Sequence, residues 1–545
     1  MLSLVACFQL DIGHWNWQHF CGTSPSGLLP AILRDMLLLV PSIWLAVWHS
    51  ALSTRPSGHA AGKIWYNIPM LRKGHAVILL SSVTFTALAA TVFPDYFNIE
   101  IPPNIAPLNF DVEGVDGAVE VTLRAEDGAT LAAKGPKVRF PARAWRKFLE
   151  SHVGGRLAGV LKAGADTYFF TNTVSRHAIS THLTYRLIPP GYTGFNEVGI
   201  YQRDITTFEE RPLYRNLQTS RQQCVNCHTY NACDPEQYLF HTRAHLAGTV
   251  MVSAKYGKKK IRPEIPGGYA YGVYPAWHPS GDYIAFSCND TSQIFYSTNP
   301  DKIEVMDSRS DLFLYSLKDG KVTMIDEDPT LFECYPTWSP DGKFLVTSSA
   351  RTPFENLPAD RDGREAQMRD KYSQVMYDLS VRTFDASNCT FSPRRILVNA
   401  LTSKRSFTFP RISPDGRWLV FTVGPYGVFS IWHRTADLWM LDLQKNEARA
   451  LNEINSAASE SYHCFSKNGR WMVFSSRRID GVYTRPYFAA FDPEKGVFSK
   501  PFLLPVEDPA EHGRRLLSYN IPELSEGPVR ESPRELRRLV ESEPR

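Results

Sequence analysis

A chain of 545 residues is longer than one ordinary core requires, and length alone suggests about three domains unless a closed repeat absorbs most of it. Hydrophobic residues at 43% and aromatic residues at 12% exclude a disordered chain. The formal charge of +4 is small for this length and no dense Lys/Arg stripe is present, so nucleic acid is not an expected partner.

Residues 1–69 contain an apolar run, Met36 to Trp48, that at thirteen residues is shorter than the roughly twenty needed to span a bilayer. A cleaner export signal begins at Met70. Arg72 and Lys73 give it a positive start, Ala76 to Val83 an apolar middle, and Ala87-Leu88-Ala89 an A-x-A cleavage site. The working protein is therefore expected to begin at Met70, with residues 1–69 an upstream extension. Residues 70–92 are a signal peptide or, alternatively, an uncleaved inner-membrane anchor. Either way the remainder is expected outside the cytoplasm, in the periplasm. Seven cysteines follow the signal, with no close pairs beyond one motif, and no disulfide framework is expected.

Residues 94–215 read as β-rich, with strands at Val119–Arg124, Lys137–Phe140 and His182–Leu187 and a helix at Ala142–His152. They form either a separate domain or the first blades of a propeller. Gly199–Tyr214 has the pattern of a blade's outer strand pair.

The segment 216–270 carries Cys224-Val225-Asn226-Cys227-His228, the C-x-x-C-H pattern of covalent haem attachment. Two thiols at this spacing can each form a thioether to the porphyrin, and the next histidine can ligate the iron. For the second axial position, His241, His245 and Met251 are candidates. His241 is preferred because it stands on the predicted strand next to the motif. Arg243 shares that strand face and suits a haem propionate. The alternative is zinc, with ligands from Cys224, Cys227, Cys233, His241 and His245. After Gly199–Tyr214, Cys224–His228 occupies the place that Tyr-Pro-x-Trp-Ser-Pro-Asp-Gly takes in the later repeats, with Tyr238–Arg243 the next strand and Gly248–Ile261 another pair. The motif is expected as an insertion at that blade's inner loop, since the interval to Tyr274 is too short for a helical haem domain. Lys258-Lys259-Lys260 with Arg262 reads as a solvated hairpin tip.

From residue 271 an internal repeat sets in: Tyr274-Pro-Ala-Trp-His-Pro-Ser-Gly281, Tyr335-Pro-Thr-Trp-Ser-Pro-Asp-Gly342, Phe409-Pro-Arg-Ile-Ser-Pro-Asp-Gly416 and Tyr462-His-Cys-Phe-Ser-Lys-Asn-Gly469. Each precedes an alternating apolar run. Where Pro-Asp-Gly stands, Pro presets φ, Asp bonds back to the backbone and Gly accepts positive φ. The Tyr462 unit has Lys467-Asn468-Gly469 instead, and Asn-Gly still makes the turn, so each unit is strand, tight turn, strand. A further strand pair in each unit gives four strands, one propeller blade. Phe354–Lys371 interrupts one unit as a solvated, charged excursion or short helix projecting from the propeller rim. Trp432, His433, Tyr462, His463, Arg477 and Arg485 could line the central opening or serve as core hydrogen-bonding groups. The tail 525–545 is charged and reads as a short helix or as disordered.

The repeat resembles that of TolB-like propellers. Asn104-Ile-Ala-Pro-Leu-Asn-Phe110, Phe240-His-Thr-Arg243, Ser475-Ser-Arg-Arg478 and Ser518-Tyr-Asn-Ile-Pro-Glu523 further resemble a bacterial subgroup of exported TolB-like proteins carrying C-x-x-C-H. The resemblance covers roughly 94–524. It implies an all-β, TolB-like β-propeller of six to eight four-stranded blades with a haem-type insertion and a β-rich N-terminal region. Those proteins carry the labels cytochrome c biosynthesis or translocation protein, and propellers host many activities.

Two function classes follow: a haem c protein that transfers electrons or docks a redox partner, and a protein-binding scaffold whose haem or metal peptide is structural. A haem-dependent oxidoreductase is a third. No nucleophile elbow, Walker loop, dinucleotide fingerprint or H-E-x-x-H is found, so no hydrolase motif supports an enzyme.

Overall fold

The computed structural model describes residues 90–544, apart from 116, 190–196, 220–222, 297, 299–300, 302 and 430–432. The apolar run Met36 to Trp48, nearly all of the export signal and Trp432 lie outside the described residues. No helix among the described residues is long and apolar enough to cross a membrane.

The first described segment builds its own five-stranded sheet. The strand order is Glu100–Ile101, Asp166–Val174, Arg156–Ala163, Val119–Ala125, Thr130–Gly135. The helix Ala142–Ser151 buries Trp145, Phe148 and Leu149. This core runs on into Trp471, Phe474, Phe488 and Leu503 from late in the chain. Trp471 Nε1 donates to the His177 carbonyl at 2.8 Å, which pins the contact.

The rest is a succession of antiparallel sheets of four or five strands, a β-propeller type of fold. Six are found among the described residues, here lettered A to F. Sheet A holds His182–Ile188, Gly199–Asp204 and Glu210–Arg215, and its innermost strand is Ser518–Ser525 from the C-terminus. Sheet B is Gln223–Asn231, Asp234–Ala244, Gly248–Ser253 and Gly257–Ile261. Sheets C to F begin with Val273–Trp277, Leu331–Trp338, Ser406–Ile412 and Glu460–Phe465. The innermost strands touch in the order A, B, C, D, E, F, and F touches A again. Pairing of N- and C-terminal strands in sheet A thus leaves no open edge at the seam.

The local chemistry explains the repetition. In sheet D, Ser339 Oγ donates to Asp341 and accepts from Phe344 N at 3.0 Å, while Gly342 takes φ 73°. Ser413 and Asp415 build the same turn in sheet E, with Trp418 N donating to Ser413 Oγ at 2.9 Å. In sheet F, Asn468 replaces the aspartate. Ser466 Oγ donates to Asn468 Oδ1 at 2.7 Å and Gly469 takes φ 65°. The turn survives because any short side-chain acceptor can bond back to the backbone there.

Several segments sharpen or correct the sequence expectation: a short helix is present in both the excursion and the tail, while the basic run is placed otherwise than expected. The basic run is not a solvated tip: Lys260 is buried, and its ammonium donates to the carbonyls of Val540 and Ser542. Lys258 pairs with Glu531 at 2.8 Å. The charged tail forms the helix Pro533–Glu541, capped by Ser532, and inserts Leu536 and Val540 beside Val250 and Tyr214. The helix Arg361–Lys371 in the charged excursion does not merely project. Its Met368 is buried in the hydrophobic cluster that includes Phe332, Tyr335 and Phe409, and the helix packs on the strand Ile303–Ser316.

Candidate functional site

Each innermost strand carries a β-bulge at the same point. The pairing register slips between Asn226 and Thr229, Val273 and Ala276, Cys334 and Thr337, Thr408 and Arg411, Ser461 and Cys464, and Asn520 and Glu523. The residue inside each slip takes positive φ: Cys227 at 41°, Tyr274 at 47°, Tyr335 at 53°, Phe409 at 53°, Tyr462 at 47° and Ile521 at 49°. Positive φ is unfavourable for bulky side chains and persists where surrounding structure imposes it. The six positions are therefore equivalent. Four carry rings that pack in series, with centroid distances of 4.5 Å for Tyr274–Tyr335, 5.3 Å for Tyr335–Phe409 and 4.8 Å for Phe409–Tyr462.

The C-x-x-C-H peptide is therefore not an inserted loop. It is the inner strand of sheet B, with Cys227-His228 standing where Tyr-Pro or Phe-Pro stands in sheets C, D and E. All nine residues of Gln223–Asn231 are buried. Cys224 pairs with Arg243 and Asn226 with His241 in the ladder. Arg186 of sheet A donates to the side-chain oxygen of Asn226 and, at 3.3 Å, to the Val225 carbonyl. The place of the motif at the Tyr-Pro position was legible in the sequence; the correction is that the peptide fills that position as a buried, paired strand.

Burial governs the chemistry of these side chains. Neither ring nitrogen of His228 has a hydrogen-bond partner, although the backbone groups of Thr184 and Ile521 lie beside the ring. Burial first of all pushes its pKa down to about 4, so the imidazole is neutral at pH 7. Burial likewise raises the Cys227 thiol, against a smaller opposing pull from the Arg243 guanidinium. A neutral buried thiol is a poor nucleophile. His241 contacts Thr249 Oγ1 at 3.1 Å through Nδ1 and meets Tyr271 edge-on at 5.6 Å. Burial takes its pKa down to about 3.

Cys224, Cys227 and Arg243 lie near one another, while His228 and His241 have different neighbours. His228 stands beside Thr184, Arg186 and Ile521 of sheet A and borders the central cavity. Leu239 and Met251, flanking His241 on its strand and the next, join the core shared with sheet C. His245 is exposed. No three His, Cys, Asp or Glu side chains among the described residues are grouped as metal ligands. A haem does not fit this geometry. The cavity beside Cys227 and His228 measures about 10 Å³ and is closed in by Tyr274, Tyr335, Phe409 and Ile521. That is room for about one water.

One step along the strands lies a mixed layer of Thr229, Ala276, Thr337, Arg411, Cys464 and Glu523. Glu523 accepts from Thr229 Oγ1 and Tyr230 N, each at 3.1 Å, and faces Arg411 at 3.8 Å. Burial outweighs these partners and lifts its pKa to about 7. On the other side of the rings the centre is filled. Val305 and Met306, from the long hairpin of Tyr283–Phe295 and Ile303–Ser316, pack there with Val428 and Phe429.

Of the late polar residues, Tyr462 stands in the central series of rings, while His433, His463 and Arg485 serve the framework. His463 Nε2 donates to the Val420 carbonyl at 2.8 Å, and Arg485 bonds the carbonyls of Thr484, Leu517, His512 and Arg515. His433 meets Glu304 at 3.3 Å. A wider recess of about 370 Å³ lies at the side, between Tyr269, Arg309 and Asp311 and the excursion residues Leu357, Pro358 and Arg364. Arg309 covers the Tyr269 ring at 3.8 Å.

No family model matches the chain. Dipeptidyl-peptidase 5 of Porphyromonas gingivalis is 28% identical over 180 residues, which cover 33% of this chain. The match spans only about a fifth of that relative, 20% of its length. Among solved structures, an oligogalacturonate lyase of Vibrio parahaemolyticus aligns over 56% of this chain and 71% of its own, with 11% identity and a TM-score of 0.32. A nidogen–laminin complex aligns over 63% and 98%, with 9% identity and a TM-score of 0.36.

Proposed function

We propose that the chain is an exported protein-binding scaffold, a six-bladed propeller of TolB-like type in which the C-x-x-C-H peptide is a structural strand. One observation carries this reading: Gln223–Asn231 is wholly buried and in register, with Cys227 at the bulge that rings occupy in four sister strands. Six neighbouring sheets whose inner strands meet in a closed order support the blade number. A rigid ring of this kind offers loops and a recess at its rim for a protein partner.

The second reading is a haem c protein that exchanges electrons with a redox partner. Its support is the pair of thiols at the correct spacing and the His228 imidazole, whose nitrogens have no partner. It requires the strand to leave its register, because the cavity there is far smaller than a porphyrin.

Expression of the full chain beside haem-attachment machinery separates the two. A haem stain and intact mass on denatured protein read the outcome. The scaffold reading expects no covalent porphyrin and the same thermal midpoint with or without the machinery. A porphyrin bound through Cys224 and Cys227 overturns it in favour of the second.

A further inference from the structure

The structure brings together two thiols far apart in sequence. Cys233 occupies the turn between the first two strands of sheet B, with φ 63°. Cys464 belongs to the mixed layer on the inner strand of sheet F and is partly exposed. The two Sγ atoms point at one acceptor, the Phe465 carbonyl, at 3.5 Å and 3.3 Å. The two thiols, gathered at that carbonyl, are close enough to act on each other. That contact first, and burial second, holds Cys233 well above the usual thiol range.

The surroundings give the pair a purpose. The Cys233 carbonyl accepts from Glu526 N at 2.9 Å, immediately after the strand Ser518–Ser525 that completes sheet A. That strand lies between the inner strands of sheets B and F and touches both. A bond from Cys233 to Cys464 therefore crosses over the seam of the ring. The remaining sulfurs have other settings. Cys288 Sγ donates to the Asp311 carbonyl at 3.4 Å, and Cys389 Sγ to Tyr283 Oη at 3.4 Å.

We propose that Cys233 and Cys464 form a disulfide that latches the seam of the propeller when the protein meets an oxidant of the low-molecular-weight disulfide class. The thiolate of Cys464, the more exposed sulfur, attacks the oxidant's disulfide. A mixed disulfide forms and one small thiolate leaves. The Cys233 sulfur, losing its proton, then attacks Cys464 Sγ and displaces the second. The two protein thiols lose two protons and two electrons, and the oxidant gains them as two small thiols.

The test uses the full folded chain carrying C224S and C227S, so that Cys233 is the one cysteine left in its tryptic peptide. After treatment with oxidised glutathione, remaining thiols are alkylated and the digest is read by mass spectrometry. The expected product joins the peptides of Cys233 and Cys464 and disappears on reduction, while Cys389 stays alkylatable. The oxidised protein is also expected to melt at higher temperature than the reduced protein, a gain that C464A abolishes. Persistence of alkylatable Cys464, or its pairing with any other cysteine, overturns the proposal. In the otherwise native chain the same outcomes apply, with fragmentation assigning the sulfur, so a folding failure of the double variant does not obscure the result. The outcome is independent of the haem test, since Cys224 and Cys227 take no part.

Discussion

The inner strands of sheets B and D share a backbone and differ in what they place on it. Both are bulged at the same register, and both put a non-glycine residue at positive φ. Sheet D fills that position with Tyr335, packed against Tyr274 and Phe409. Sheet B fills it with Cys227. The next residue is Pro336 in one and His228 in the other. A proline has no N–H to satisfy, whereas the buried imidazole leaves two nitrogens without partners. Two residues before the bulge, sheet D buries Glu333, held by Arg382 at 2.8 Å, where sheet B has Val225. The fold thus fixes the strand, and chemistry enters only through the side chains that the bulge exposes to the centre.

The comparison predicts a hierarchy of effects. Tyr335→Ala removes a ring from the centre of the series and is expected to cost about 4 kcal/mol, measured by urea denaturation. A loss below about 1 kcal/mol would mean that the rings do not hold the inner strands together. Arg382→Met strands a buried carboxylate and is expected to cost about 3 kcal/mol. Adding Glu333→Leu should recover most of that loss, because the uncompensated charge goes with it. Failure of this rescue would show that Arg382 is needed for its bond to Asp326 instead.

The pH dependence follows from which groups the interior disfavours. Burial lifts Glu333, Asp307 and Glu523 to about 7, so the folded state holds their protons more tightly than the unfolded one. Their contribution is present in full below about pH 4.5 and is lost as pH rises to about 7. Burial lowers His228 to about 4 and His241, His463 and His512 to about 3. Their contribution is present above pH 6.5 and is lost as pH falls toward 3. The two trends oppose each other between pH 4.5 and 6.5, so thermal midpoints should be nearly level there. They should fall steeply below pH 4.5, where only the histidine trend remains. A steady climb from pH 4 to 3 would contradict this assignment. The smallest effect is expected for Cys227→Ser, about 1 kcal/mol, since a hydroxyl replaces a buried thiol without changing the bulge. A loss as large as that of Tyr335→Ala would make Cys227 an anchor equal to the rings.

The parts of the fold that were legible in the sequence are those built from local chemistry. The tight turns ending in Gly281, Gly342, Gly416 and Gly469, two of them Ser-Pro-Asp-Gly, bond to themselves within a few residues, so four inner strands could be found from them. The other two lacked that signal. Sheet B turns at Ala232-Cys233, and sheet A receives its inner strand from the far end of the chain, where Ile521-Pro522 is the remaining trace of the repeat. Long-range pairing of this kind leaves no mark in a short window. The C-x-x-C-H spacing was plain to see, but its burial was not, because the motif describes which atoms are present and says nothing of the strand beneath them. Its meaning came from register: Cys227 and Tyr335 are the same position.

The pairing of Ser518–Ser525 with His182–Ile188 also sets a timetable. During synthesis the strand His182–Ile188 emerges long before its partner exists. Until the last few dozen residues arrive, sheet A presents a bare edge, and the ring has no closing contact. A growing chain in that condition is open to pairing with other chains. Translocation of an unfolded chain would defer the whole of folding until both ends are present, and the seam would then close in a single event.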